Sequence, residues 1–148
     1  MGTYTQLLYQ LVLGTKYRKP VLTKDRRDEL YNYIVGILNE KNCHPYRING
    51  VEDHIHILTH IHPTVAVSSL VKDIKMACSD YIRREGLFKD FDGWMNGFGA
   101  FTYSIKEKDR LIQYIINQEE HHRHKNSLSE FRKLLQEHKI PFDEKYLL

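Results

Sequence analysis

Hydrophobic and polar positions along the chain follow two spacings, and the switches between them lay out the elements. Tyr4 to Gly14 (YTQLLYQLVLG) is dense in aliphatic and aromatic residues and reads as a buried strand. Thr15 to Pro20 (TKYRKP) is a basic loop, and Thr23 is a candidate N-cap for a helix over Asp25–Asn39. That helix carries Leu30, Tyr33, Ile34, Ile37 and Leu38 at helical spacing. Pro45–Asn49 and His54–Ile61 read as strands joined by a hairpin turn at Gly50–Asp53, with Pro63 stopping the second. Val67–Arg84 is a long amphipathic helix with Leu70, Val71, Ile74, Ala77, Cys78, Tyr81 and Ile82 inward, and Gly86 ends it. Phe98–Ile105 reads as a further strand, Glu107–Glu120 as a helix, and Ser127–His138 as a short last helix.

The order is strand, helix, strand, strand, helix, strand, then helices. Split βαβ units in this order predict an α+β, ferredoxin-like (RRM-like) antiparallel sheet with helices packed on it. The 148 residues are expected to form one domain, 1–148, with 126–148 as a C-terminal helix and tail whose Phe131, Leu134 and Leu135 need a partner surface.

Composition narrows the class. Hydrophobic content of 41% with 28% charged residues predicts a folded soluble protein. No apolar run approaches the ~20 residues that span a bilayer, and Met1–Gln10 lacks signal-peptide features, so no membrane association is expected. Cys43 and Cys78 lack CxxC spacing, which excludes a disulfide framework and a thiolate zinc site and fits a reducing cytoplasm. Net charge is only +3, so nucleic-acid binding is possible on charge but not established by it. Nine histidines and ten tyrosines are the unusual counts.

The histidines concentrate in His54-Ile-His-Ile-Leu-Thr-His-Ile-His62. On a strand, the even positions share one face and the isoleucines the other, which belongs to the core. His54 and His56 lie ~6.6 Å apart along such a strand, close enough for two imidazoles to meet one ion. His60 is ~20 Å from His54, too far to join them, and is expected with His62 to be structural or DNA-facing. Two histidines alone equally suit a half-exposed polar strand face, and a metal would need a third ligand from elsewhere.

The tyrosines have one unusual member. In the helix beginning at Asp109, Ile112, Ile115 and Ile116 centre one stripe, and Tyr114 is expected about 150° from it. Gln118, one turn on, shares the Tyr114 side, with Arg110 and His121 flanking it. An isolated pair of this kind suits a surface tyrosine. It also suits a nucleophile, because a phenol with a pKa near ~10 reacts at neutral pH when a metal or positive charge lies beside it. Gln118 could then serve as an oxygen ligand.

Taken together, these segments resemble a known family. His54-Ile55-His56 is similar to the histidine–hydrophobic–histidine motif of HUH nucleases. Tyr114 with Gln118 resembles the catalytic end of the small single-tyrosine transposases of the insertion-sequence-200/605 type. YQLVLGTKYRKPVL (Tyr9–Leu22), VEDHIHIL (Val51–Leu58), and the run from Trp94 through GFGAFTYS to YIINQEEHH extend the resemblance over nearly the whole chain. It implies an HUH-type ferredoxin-like fold and a homodimer acting on single-stranded DNA with hairpin ends, in the cytoplasm of a bacterial or archaeal cell. It also implies Tyr114 as nucleophile, forming a 5′-phosphotyrosine and releasing a 3′-OH. His54, His56 and Gln118 would hold one divalent ion, Mg²⁺ or Mn²⁺. The reaction conserves the phosphodiester, so no nucleotide cofactor is expected, and the chain has no GxxxxGK[ST] phosphate loop.

Candidate DNA contacts are Lys16, Tyr17, Arg18 and Lys19 in the basic loop, and Lys72 and Lys75 near the start of the long helix. The histidines and cations at 121–125 read as a cluster at a helix C-terminus. Trp94 is expected in the core or a dimer interface. Three other readings suit parts of the pattern: a domesticated relative acting on host repeat hairpins, a non-catalytic single-stranded nucleic-acid-binding module, and a structural histidine zinc site.

Overall fold

The computed structural model describes residues 1–120 and 126–147. Four strands form one antiparallel sheet: β1 (Leu8–Gly14), β2 (His44–Gly50), β3 (His54–His60) and β4 (Gly99–Tyr103), in the order β2-β3-β1-β4. The helices are α1 (Arg27–Glu40), α2 (Val67–Glu85), α3 (Lys108–Ile116) and α4 (Ser127–Glu137). This is the expected α+β, ferredoxin-like arrangement, with β1 and β3 central and paired from Leu8↔His60 to Gly14↔His54.

The period of two along β1 and β3 sorts side chains to opposite faces. Leu11, Leu13, Ile55 and Ile57 join Leu30, Ile34 and Leu38 of α1 and Leu70, Ile74 and Cys78 of α2 in the larger core. The other face is also covered, so of the two readings of the histidine face the half-exposed one does not hold. Leu8 and Leu58 pack on Leu111 and Ile115 of α3, while Val12 and Phe101 pack on Leu134 and Leu135 of α4. His54, His56 and Leu58 of β3 are therefore buried: His54 is 2% exposed and His56 is fully covered. The C-terminal helix does find the partner surface that its apolar stripe requires.

Local chemistry sets the ends of these elements. Gly50 has His54 O so near that a Cβ would lie 2.3 Å from it, and so closes the β2–β3 hairpin. Gly86 ends α2 in the left-handed region (φ 61°), as its position after the stripe predicts. The first strand begins later than expected, at Leu8, and Tyr4 is exposed. Thr23 makes no side-chain cap; a single 3-10 turn at Lys24–Arg26 leads into α1 instead. The helix expected over 107–120 is divided: a 3-10 turn at Ile105–Glu107, then α3, a turn at Asn117, and helical residues 118–120.

Cys43 and Cys78 are buried thiols without a disulfide, and burial pushes the Cys78 thiol up to about 12. Among the described residues, no helix is long and apolar enough to cross a membrane.

Candidate metal and tyrosine site

The site lies on the α3/α4 face of the sheet, and one carboxylate organises it. Glu130 of α4 places Oε1 2.9 Å from His54 Nε2 and 3.0 Å from His56 Nε2. Its other oxygen, Oε2, accepts the Tyr114 hydroxyl at 2.5 Å and the Gln118 amide at 3.2 Å. Tyr114, Gln118, His54 and His56 thus converge within one chain, and a fifth residue not foreseen from the sequence joins them. The Tyr114 ring stands edge-on to His56, with centroids 6.0 Å apart.

Each imidazole is also held on its far side. His54 Nδ1 is 2.7 Å from Asp53 Oδ1, and His56 Nδ1 is 2.7 Å from Gln10 Oε1. Both partners are acceptors, so the Nδ1 atoms carry protons and the Nε2 atoms face Glu130. Gln10 in turn donates to the Tyr103 hydroxyl at 2.9 Å, and Ser127 donates to Asp53 Oδ2 at 2.9 Å. This is the pattern of imidazoles oriented by outer partners for metal ligation.

His54, His56 and Glu130 offer three ligand atoms within 4.8 Å of one another, all buried, and such a cluster could hold a metal ion. The donor set of two imidazoles and a carboxylate suits a divalent cation. Gln118 is fully buried, and its Oε1 has no hydrogen-bond partner among the described residues. A buried amide oxygen left in this state is costly, and it gives the cluster a fourth donor in reserve.

The electrostatics follow from the contacts. Burial works against the charged imidazole of His54, but the bonds and charges of Asp53 and Glu130 prevail and raise its pKa to about 9. Burial likewise favours a neutral Glu130, yet the two histidines outweigh it and hold the carboxyl far below its usual range. Burial, then the Glu130 charge, push the Tyr114 phenol well above its ordinary value. Tyr114 is therefore a protonated donor and Glu130 an ionised acceptor.

The orientation expected for Tyr114 is corrected here. The stripe of α3 that meets the sheet is Leu111, Tyr114, Ile115 and Gln118, spaced i, i+3, i+4, i+7, with Leu111, Ile115 and Gln118 buried. Tyr114 lies on the edge of the apolar stripe rather than opposite it, because the face it addresses is the covered histidine face. Asn49 of β2 fixes this register by donating to the Ile115 and Ile116 carbonyls at 3.0 and 3.1 Å. It meets α3 where the helix breaks, and it pairs with His56 across the β2–β3 ladder. Arg27, buried on α1, and Lys24 both grip Glu119, the residue after Gln118.

The basic loop is a 3-10 turn at Lys16–Arg18. Tyr17 projects into solvent at 74% exposure, with Lys16 Nζ and Lys19 Nζ 5.6 and 5.7 Å from its ring centre. Tyr17 and Arg18 both hold positive φ, 57° and 53°, an uncommon conformation for non-glycine residues. The Arg18 guanidinium binds the Leu147 carbonyl and Ser127 and so anchors the C-terminal segment. Lys75 donates to the Met95 and Gly97 carbonyls, while Lys72 is exposed. His60 accepts from the Leu7 amide and His62 from that of Thr64. Trp94 packs against the larger core beside Phe91. The cluster expected at 121–125 lies outside the described residues.

Glu130 was not anticipated, although the sequence carried a signal. It sits beside Phe131 and one turn before Leu134 on an amphipathic helix, where an unpaired acid would be costly. Gln10, in the middle of an apolar strand, is the same kind of signal.

A ferredoxin-like sheet with a histidine pair on a central strand and a tyrosine helix across from it is the layout of the HUH class. Residues 3–118 match the family described as Transposase IS200 like. The chain belongs to this family of IS200-like transposases. Among solved structures, it resembles a candidate transposase from Deinococcus radiodurans R1 with 24% identity and a TM-score of 0.62, over 80% of this chain and 95% of that one. It also resembles a REP-associated tyrosine transposase bound to a REP hairpin, with 18% identity and a TM-score of 0.58, over 82% of this chain and 72% of that one. At these identities the likeness establishes the fold. No curated protein matches the chain.

Proposed function

We propose that the chain cleaves and rejoins single-stranded DNA through a 5′-phosphotyrosine at Tyr114, with one divalent ion held by His54, His56, Glu130 and Gln118. The observation that carries this reading is the shared carboxylate. A phenol, two oriented imidazoles and a buried amide all converge on Glu130, which leaves the potential nucleophile beside the potential metal ligands.

In the reaction, Tyr114 Oη forms a bond to the scissile phosphorus and the bond from phosphorus to the 3′-oxygen breaks. The phenol proton leaves along its hydrogen bond to Glu130 Oε2 and passes on to water. The departing 3′-oxygen takes a proton from water and becomes a free 3′-OH. When bound, the metal would polarise the phosphate and stabilise charge on its oxygens. Asp53 and Gln10 keep the two imidazoles oriented through both steps. In rejoining, a 3′-OH attacks the phosphotyrosine and gives its proton to water, and the released phenolate takes a proton back from water beside Glu130.

Hairpin-ended single strands are the proposed substrate, by extension from the family. Tyr17 between two lysines supports this, since an exposed ring for stacking beside cations for phosphate is the chemistry of single-strand recognition. The homodimer implied by the family would bring two DNA ends together. The setting proposed is the cytoplasm of a bacterial or archaeal cell, with Mg²⁺ or Mn²⁺ as the ion.

Incubation with a labelled single-stranded element end plus Mg²⁺ or Mn²⁺ tests the reading. The wild type should form a covalent adduct and release a 3′-OH, and Tyr114→Phe should do neither while still binding DNA. An adduct in Tyr114→Phe, or one mapped by peptide mass to another tyrosine, would refute it.

A further inference from the structure

A ridge separates two depressions on this molecule, and the site described above occupies only one of them. Residues Met95, Asn96, Gly97 and Phe98 line both a cavity of about 230 Å³ that reaches His54, His56 and Glu130, and an open groove of about 650 Å³ along α2. The ridge is built into the fold. Met95 donates its amide to the Gly14 carbonyl, Thr15 bridges to Trp94, and Lys75 binds the Met95 and Gly97 carbonyls from α2. At its crest Phe98 is 41% exposed, an apolar ring held in solvent on a pinned backbone.

The groove beyond the crest combines apolar and cationic groups. Lys72, Met76 and Arg83 fall on one stripe of α2, at i, i+4 and i+11, and all three line the groove. Met76 is 62% exposed, and neither Lys72 nor Arg83 forms an ion pair among the described residues. The two cations stand ~16 Å apart along the helix axis. The one acid on the groove wall, Asp80, is taken by Arg84 at 2.7 Å.

We infer that this ridge and groove are a track for the single strand flanking the scissile phosphate, with one base stacked on Phe98 and the backbone phosphates running past Lys72 and Arg83. The identification of the strand as the flank of a scissile phosphate rests on the function proposed above. The chemistry of the track does not. An exposed ring beside spaced, unpaired cations suits unstacked bases on a phosphate backbone, whereas a duplex keeps its base faces stacked. The shared wall places the groove directly across the ridge from the histidine cavity.

The test measures binding in the Tyr114→Phe background, so that cleavage does not interfere. Two fluorescent single strands are titrated by anisotropy across a salt series: one with a flank long enough to cross the ridge, and one with the flank removed. Phe98→Ala should weaken the long strand by about ten-fold, as loss of one stacked base does. Lys72→Ala with Arg83→Ala should reduce the slope of log affinity against log salt by about 1.4, or about 0.7 per phosphate contact. Neither variant should change binding of the strand without a flank. Wild-type affinity and slope for the long strand would overturn the inference. So would an equal loss on both strands, or a loss seen with duplex and not with single strand. These readouts need no adduct, so a failure of the cleavage chemistry is distinguished from a failure of the track.

Discussion

Neutralising Glu130 perturbs the whole site through one atom. Glu130→Gln keeps the shape but replaces a carboxylate that accepts from four groups with an amide. In the metal-free protein this takes the Glu130 charge away from two buried imidazoles, while His54 keeps that of Asp53. Removing one member of a buried charge pair costs about 3–5 kcal/mol. For a chain of this length, that is a fall in Tm of about 10 °C. Tyr114→Phe removes one hydrogen bond to a charged acceptor, worth about 1.5–3 kcal/mol. Because both substitutions delete the same bond, the double variant should be more stable than the sum of the single losses predicts, by about 1.5–3 kcal/mol. Urea unfolding of the four proteins in chelator closes this cycle. Added Mg²⁺ or Mn²⁺ should then raise the midpoint more in wild type than in Glu130→Gln, since binding to the folded state stabilises it in proportion to affinity. Strict additivity, or a Glu130→Gln protein that melts with the wild type, would refute the reasoning that the carboxylate ties the phenol to the histidines.

Two further predictions concern the same contacts. The His54 pKa is raised from 6.5 to about 9, so its stabilising contribution is complete below about 6.5 and is lost as pH rises through 9; the Glu130 pKa is lowered from 4.5, so its contribution is complete above about 4.5 and is lost on further acidification. Thermal melts of metal-free protein should therefore decline from pH 6.5 toward 9, and His54→Asn should flatten that limb; a decline of the same depth in the variant would count against the assignment. Asn49→Ala removes both side-chain bonds to the end of α3, about 1–2 kcal/mol of stability, and should slow adduct formation without changing DNA affinity; equal losses in rate and affinity would mean that Asn49 does not position Tyr114.

The histidine strand was legible because period two is a local property: alternating isoleucines fix which face His54 and His56 occupy, whatever covers that face. The sheet order followed from the element order for a similar reason. The direction of Tyr114 was not legible in this way. Taken alone, the isoleucines of α3 outline a stripe at 112, 115 and 116, yet the contact stripe is 111, 114, 115 and 118. A helix can present a tyrosine and a glutamine to a buried face when that face already holds polar partners, and hydrophobicity alone does not register those partners. The carbonyl partners of Arg18 and Lys75 were not legible for the complementary reason. A basic residue in a loop or on a helix end looks free in a sequence, and only tertiary placement shows the carbonyls that it satisfies.

Glu130 was the least legible part of the site, and it bears on both His54 and Tyr114. The family match ends at residue 118, and the carboxylate arrives from α4, beyond that boundary. Once their Nε2 atoms are freed of protons to bind metal, two imidazoles and an amide bring no charge to a divalent ion. Adding one carboxylate would reduce the net charge to about that which a single phosphodiester neutralises. The same carboxylate keeps Tyr114 protonated, because a negative charge beside a phenol opposes its ionisation. The two effects are linked: any positive charge placed against Oε1 weakens the hold of Oε2 on the phenol proton. The α4 helix is therefore more than a lid over the second core formed by Val12, Phe101, Leu134 and Leu135. By carrying Glu130 into the gap between β3 and α3, it sets one charge against both the histidine pair and the Tyr114 phenol.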